Sequence, residues 1–389
     1  MAAITIGIVA GEASGDALAA TLIDAVRVRR PDVRFAGIAG PRMQAAGCDV
    51  LAPQDRLAVR GLTEVVAHLP SLFALRRQIA GRLTAMRVPV FVGVDAPDFN
   101  LGLERRLRRR RVRTVHFVSP SVWAWRRERL PKIHRAVDRM LALFPFEPAL
   151  YEAHGTPVTY VGHPLAQERA RPGTRAAARE TLKHKGVAPL FALLPGSRLS
   201  EIEMHAHLVL EAATRMVEAR PDARFLVPLV SRTTRDAFLE AQHRHGAGAL
   251  PLTVLYGHAG DALRAADVGL VASGTATLEA AIAGCPHVIF YRVSALTARI
   301  VARKLLVPWV GLPNVLAGRF VVPELVQDDA TPGNLAQAAL NLFDDTVTRR
   351  RIETVFDGIA ASLAVDTATL AADAVLAEVD RALDVRRGS

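Results

Sequence analysis

Four short stretches combine chemically active side chains with glycine or proline at spacings that expose them. The first, "VAGEASGD" at residues 9–16, sets Glu12, Ser14 and Asp16 around Gly11 and Gly15. It follows an apolar run and opens a helical pattern, a layout that offers backbone N–H groups to an anion. Two carboxylates repel a pyrophosphate, however, and the Gly11-x-x-x-Gly15 spacing is neither a dinucleotide fingerprint nor a Walker loop. The second, "DAPDFN" at 95–100, puts Asp95 directly after the apolar run 90–94. A carboxylate there is either a general base toward a hydroxyl or an ordinary turn residue, and Asp98 reads as a turn or cap.

The other two stretches favour anions. In "PGSRLSEIE", residues 195–203, Gly196 and Ser197 precede a helix expected from about residue 200, and Arg198 is a planar two-pronged donor or a solvated surface residue. No lysine follows, which argues against a Walker ATPase. In "VASGTATLEAAIAGCP", residues 271–286, Ser273, Gly274 and Thr275 form a second strand-to-helix turn with capping residues. Glu279 is the only Asp, Glu, Lys or Arg from Val268 to Tyr291. It either faces solvent or accepts hydrogen bonds from a vicinal diol such as that of ribose. No H-x-x-x-H, C-x-x-C or strand-end D-x-D is present, so no metal is expected.

Short β-rich runs separated by helical patterns must position these residues. Strands are expected at 4–9, 34–38, 90–94, 114–118, 139–144, 158–161, 190–194, 224–228, 252–255, 268–272 and 287–291. Helices are expected at 15–29, 104–111, 200–219, 260–266 and 275–283, among others. The alternation predicts βαβ units and parallel sheets, in the α/β class. The Pro-, Gly- and charge-rich stretch 162–189 breaks it, which gives two Rossmann-like domains, 1–165 and 166–345, with C-terminal helices at 346–389. Ligands in such sheets bind beyond the carboxyl ends of strands, where all four stretches fall.

The chain has 389 residues and a net charge of +11, with only four lysines among its 49 basic residues. That field favours an anionic partner: nucleic acid, a membrane surface or a phosphorylated substrate. Cys48 and Cys285 are too few for a disulfide framework, and no secretory leader is recognisable, so a cytosolic protein is expected. No uncharged apolar run reaches the length of a membrane span. The segment 65–88 places Leu69, Leu72, Phe73, Leu75 and Ile79 beside Arg76, Arg77 and Arg82. It is either an interfacial helix touching acyl chains and anionic lipid or a core helix with solvated arginines. The run "RRLRRRRVR" at 105–113 lacks interleaved aromatics, which disfavours a nucleic-acid platform. Trp123 and Trp125 in "VSPSVWAWRRER" are a substrate wall or ordinary packing.

Taken in order, "VAGEASGD", "GIAGPRMQAAGC", "GVDAPDFN", "VSPSVWAWR", "FPFE", "LPGSR", "ASGTATLE" and "LPNVLAGR" resemble the lipid-A-disaccharide synthase family over nearly the full length. The resemblance implies a glycosyltransferase B fold, two Rossmann-like domains facing across a cleft, with the C-terminal helices returning to the first domain or reaching a partner subunit. It implies an inverting transfer of diacylglucosamine from UDP to the 6-hydroxyl of 2,3-diacylglucosamine 1-phosphate (lipid X), giving a β-1,6 disaccharide and UDP. By position it makes Asp95 the base, puts Gly196, Ser197, Arg198, Ser273, Gly274, Thr275, Glu279 and Asn314 at the UDP-sugar, and puts Glu12, Ser14, Gly15, Asp16 and Asn100 on the acceptor side. Glu12 and Asp16 would then bind sugar hydroxyls, with Ser14 and Gly15 as donors. The enzyme would need no cofactor and no metal, and would lie peripherally on the cytoplasmic face of an anionic inner membrane. It could dimerise by exchanging C-terminal parts. Another UDP-sugar enzyme of the same fold, an epimerase or a peptidoglycan glucosaminyltransferase, would share the UDP pocket but not 65–88 or "DAPDFN". A nucleic-acid-binding protein would explain the arginines alone.

Overall fold

The computed structural model describes residues 4–57, 62–169, 174–184, 186 and 188–387. The chain divides into two compact units, residues 1–164 with 363–389, and residues 165–362.

Unit 1 holds seven parallel strands: β1 (Ile4–Ala10), β2 (Val33–Ala39), β3 (Cys48–Pro53), β4 (Val90–Val94), β5 (Arg113–Phe117), β6 (Arg139–Ala142) and β7 (Val158–Tyr160). Their order is β3-β2-β1-β4-β5-β6-β7. The β-branched runs at the centre of this sheet are buried on both faces, as parallel strands require. One face is covered by α1 (Ala13–Arg29), with Leu22, Ile23 and Val26 in a core shared with Ala371, Ala372, Val375 and Val379 of the last helix, Thr367–Arg387. The short helix α2 (Pro41–Ala45) follows β2. On the other face α3 (Leu62–Ala85) and α4 (Pro97–Arg108) pack Leu75, Ile79, Leu83, Leu103 and Leu107 against Phe91. Strand order reverses between β1 and β4, so the loops after these two strands diverge and leave a crevice between them.

Unit 2 repeats the plan with β8 (Leu190–Leu194), β9 (Arg224–Leu229), β10 (Leu252–Tyr256), β11 (Val268–Ala272), β12 (His287–Tyr291) and β13 (Glu324–Val326). The order is β10-β9-β8-β11-β12-β13, all parallel, with the reversal between β8 and β11. Both units are thus the expected doubly wound α/β sheets.

The second boundary falls at 362/363 and not at 345/346. The helix Thr346–Leu363 belongs with unit 2, where Phe356 stacks on His287 with ring centres 5.5 Å apart and Glu353 pairs with Arg175 at 3.1 Å. The chain re-enters unit 1 where the His163 N–H donates to the Leu363 carbonyl at 3.1 Å. By length and composition alone, Thr346–Arg386 could cross a bilayer. It breaks at 364–366, and Phe356, Leu363, Val375 and Val379 are all buried within their own units.

The basic run 105–113 is partly consumed by packing. Arg108 pairs with Asp138 at 3.0 Å, and Arg113 with Arg139 clasps the buried carboxylate of Glu378, each through Nε at 2.9 Å. These two guanidiniums outweigh the cost of burial and hold the Glu378 carboxyl below its ordinary range.

Candidate functional site at the strand ends of unit 1

Gly11 is the first residue beyond β1, and Asp95 and Ala96 are the first two beyond β4. Parallel pairing aligns the ends of β1 and β4, Ala10 facing Val94. A Cβ on Gly11 would stand 2.5 Å from that of Ala96, and one on Gly15 would stand 3.9 Å from that of Asp95. Gly11 therefore admits the second loop, whereas Gly15, inside α1, only comes into ordinary contact with it. Asp95 and Ala96 both take left-handed backbone, with φ of 52° and 44°. Two such residues in succession, neither glycine, store strain of the kind that persists at functional sites. The turn is held by the Asp95 N–H donating to the Phe117 carbonyl at 2.8 Å and by the Asn100 side-chain amide donating to the Asp95 carbonyl at 2.8 Å.

Here a pocket of about 370 Å³ is lined by Gly11, Glu12, Arg76, Asp95, Ala96, Pro97 and Asp98, with an apolar wall of Leu57, Leu69, Leu72, Phe73 and Phe99. A carboxylate able to accept a proton thus shares one concavity with aliphatic and aromatic surface. Ser14 is exposed nearby, the second residue of α1.

Several expected residues do other work. Asp16 is buried and turns away from the pocket, accepting from the backbone N–H groups of Gly40 (3.0 Å), Arg42 (2.9 Å) and Met43 (3.1 Å). It neutralises the N-terminus of α2, so only Glu12 of the two carboxylates is left for a ligand. Asn100 is wholly buried and braces the Asp95 turn from behind. Leu75 is 2% exposed and belongs to the core. Arg76 donates to the carbonyls of Asp98 (2.8 Å) and Phe99 (3.1 Å) and lies over the rings of Phe73 and Phe99, fastening α3 to the start of α4. Leu69 and Phe73 are 40% and 60% exposed, and Arg77 is exposed beside them. The side chains of 62–68, which include the start of the 65–88 segment, lie outside the described residues.

In unit 2 the second anion loop is occupied from within. Gly196 has φ of 139°, and its missing Cβ admits Glu201, whose carboxylate accepts from the N–H groups of Ser197 (2.8 Å) and Arg198 (3.2 Å). Of the two N–H groups expected to meet a phosphate, that of Ser197 is already bonded, because Glu201, the third residue of the helix Leu199–Ala219, reaches back in a capping box. The Arg198 side chain bonds the same carboxylate at 3.3 Å yet remains 69% exposed.

Ser273 is likewise committed, its hydroxyl donating to the Val310 carbonyl at 2.8 Å and its N–H to the Phe290 carbonyl at 2.9 Å. Gly274, with φ of 145°, caps the helix Thr275–Ala283 without a side chain, and Thr275 is exposed at its start. Glu279 is half-buried on that helix. Asn314 is buried with its amide fully used: it donates to the Val322 carbonyl (2.9 Å) and Glu324 (2.8 Å) and accepts from the N–H groups of Val321 (2.8 Å) and Val322 (3.0 Å). It pins the helix Leu312–Ala317 to the strand that follows and does not present its side chain to a ligand.

Sequence reasoning passed over Glu201, Glu324 and a buried pair behind Asp95, Glu104 and His116. The signal for Glu201 was a glutamate three residues into a helix; for the pair it was Asn100 and Glu104, one turn apart on the sheet-facing side of α4. Among the described residues no three His, Cys, Asp or Glu side chains gather as a metal site would need.

The family described as lipid-A-disaccharide synthetase matches the chain over residues 6–373. The lipid-A-disaccharide synthase of Chromobacterium violaceum is 52% identical over 374 residues, covering 96% of this chain and 97% of that protein. Among solved structures, a protein described as a UDP-N-acetylglucosamine 2-epimerase from Listeria monocytogenes aligns with a TM-score of 0.63 at 14% identity, covering 97% of this chain and 95% of its own. The calicheamicin glycosyltransferase CalG4 aligns with a TM-score of 0.59 at 17% identity, covering 98% and 99%. At these identities the two structures show a shared fold of two parallel-sheet α/β domains and nothing about substrate.

Proposed function

Because the chain belongs to the lipid-A-disaccharide synthase family, we propose that the pocket at Asp95 receives the acceptor and that Asp95 is the general base. The chain is a UDP-sugar glycosyltransferase that forms the lipid A disaccharide. The observation that carries the assignment is the union of Asp95 and Glu12 with Leu57, Leu69, Leu72, Phe73 and Phe99 in one pocket. A sugar bearing acyl chains needs both a polar end and an apolar wall, and 2,3-diacylglucosamine 1-phosphate has that character.

Asp95 removes the proton from the acceptor 6-hydroxyl as that oxygen attacks C1 of UDP-2,3-diacylglucosamine and the bond from C1 to the UDP oxygen breaks. The configuration at C1 inverts. Glu12 accepts from acceptor hydroxyls. Negative charge grows on the departing diphosphate, and unit 2 offers it the exposed Arg198 guanidinium and the N-terminus of the helix Thr275–Ala283. Glu279 takes the ribose diol, while Asn314 and Ser273 fix the backbone around it. With these donors the reaction needs no metal or cofactor. Leu69, Phe73 and Arg77 make the peripheral contact with the anionic cytoplasmic leaflet.

The test is transfer by purified protein in detergent micelles with EDTA, from UDP-2,3-diacylglucosamine to 2,3-diacylglucosamine 1-phosphate, with UDP-N-acetylglucosamine as control donor. Disaccharide from the acylated donor alone supports the reading, and Asp95→Asn is expected to lower turnover by about 10²- to 10⁴-fold. Near-normal turnover of Asp95→Asn overturns the base assignment.

A further inference from the structure

Directly behind the Asp95 turn lies a buried polar cluster that the reaction above does not use. Glu104 of α4 and His116 of β5 are both 0% exposed, with Oε1 and Nδ1 2.7 Å apart. Glu104 reaches the ring across Gly93: a Cβ on that glycine would lie 2.3 Å from Oε1, so the central strand β4 gives up a side chain to admit the carboxylate. Three buried polar atoms here, Asn100 Oδ1, Glu104 Oε2 and His116 Nε2, have no hydrogen-bond partner.

The cluster is expensive and is placed against the base. Buried ion pairs contribute little net stability compared with well-packed apolar residues, and each unpartnered atom adds a desolvation cost. Pairing aligns Gly93 with His116 and Val94 with Phe117, and the Asp95 N–H continues that ladder to the Phe117 carbonyl. Asn100 ties the cluster to the Asp95 carbonyl. The charged groups acting on the ring are Glu104 from α4 and Asp95 from the turn after β4; Gly93 of β4 and Met140 of β6 flank it in register. Burial disfavours a charged imidazole, yet Glu104 and then Asp95 outweigh it and raise the His116 pKa above its ordinary value.

We propose that His116 and Glu104 are positioning residues for the transfer, a buried couple in which Glu104 fixes the imidazole and the imidazole supplies the counter-charge and strut behind the Asp95 carboxylate. The couple is neutral as a whole, and its imidazole end acts on Asp95. This rests on Asp95 being the base. Removing both charges while leaving an amide in place of Nδ1, as in the double variant Glu104→Gln with His116→Asn, leaves Asp95 intact but without its counter-charge.

The test has two arms on the full-length enzyme. In the first, the acidic limb of the kcat/KM profile of the double variant is expected to move up by about one pH unit, with a loss of about tenfold on that limb and recovery at higher pH. A purely structural pair would lower the folded fraction without moving the limb, so an unmoved limb in a folded double variant overturns the proposal. In the second arm, nitrogen-15 NMR of histidine-labelled enzyme follows the His116 ring. Its titration midpoint is expected to fall in Asp95→Asn, and a midpoint that does not move overturns the coupling even where the double variant fails to fold. Retained turnover in Asp95→Asn would instead sink the base assignment, and leaves the NMR coupling to be read independently.

Discussion

Gly11 and Ala96, one beyond β1 and the other beyond β4, approach so closely that a methyl on Gly11 would stand 2.5 Å from the Ala96 Cβ. Something must shift to accept it, and the residue beside Ala96 is Asp95. Gly11→Ala is therefore expected to keep the fold and lower kcat/KM by roughly 10- to 100-fold, since a displacement of about 1 Å at a catalytic group costs that much. Michaelis kinetics beside a thermal melt check it. A variant that melts early but turns over normally once folded would show that the contact serves stability alone.

Asp16 supplies a contrasting expectation. Its carboxylate accepts three backbone N–H groups of the segment Gly40–Met43, so Asp16→Asn removes charge and acceptor capacity from a buried helix start. The expected cost is about 1–3 kcal/mol of stability, with kcat and acceptor KM unchanged for the folded enzyme. Denaturant unfolding with kinetics under native conditions separates the two. A raised acceptor KM at unchanged stability would return Asp16 to the ligand.

The contrast shows how much of the site was legible. The position of Asp95 was readable because the apolar run 90–94 before it is a strand, and βα topology puts strand ends at the crevice. Asp16, expected to bind sugar hydroxyls, and Asn100 and Asn314, expected on the acceptor side and at the UDP-sugar, instead bond other parts of the chain. Each is a polar side chain next to an expected ligand loop, and only three-dimensional proximity reveals that its hydrogen bonds go to groups several residues away or remote in sequence. Strands β3 and β13 were not recognised: "CDVLAP" carries a charge and a proline, and "ELV" is only three residues long. The helix α4 starts at Pro97, seven residues before its expected start, because Pro97 occupies the first helical position and Ala96 turns left-handed before it. Arg76 reads as surface in a periodic pattern, yet its guanidinium is drawn inward by two carbonyls.

Glu147 gives a pH dependence whose sign is fixed by its surroundings. Burial pushes its carboxyl up to about 7, although the N–H groups of Leu143 and Phe144 donate to it. The folded protein thus holds a proton that the unfolded chain releases near the ordinary value. The stabilisation is fully present below that ordinary value and is lost as pH rises through about 7. From pH 4 to pH 8 this group alone is expected to remove about 3 kcal/mol, and Glu147→Gln should flatten that slope. Urea unfolding of both proteins across that range is the measurement. An equal slope in the variant would assign the dependence to other groups.

The helix α3 offers neighbouring apolar residues with opposite expected behaviour. Leu69 and Phe73 are 40% and 60% exposed on the pocket wall, whereas Leu75 is 2% exposed in the core. Leu69→Ser with Phe73→Ser removes apolar surface that a bilayer or an acyl chain would cover, at about 1.5–3 kcal/mol for each side chain fully buried. Partition into anionic vesicles is expected to fall at least about tenfold, with the melting temperature little changed. Leu75→Ser, in contrast, should cost about 2–5 kcal/mol of stability and leave vesicle binding of the folded fraction intact. If the exposed pair changed stability and not partition, α3 would be a packing helix only, and the membrane contact would have to be sought on another surface.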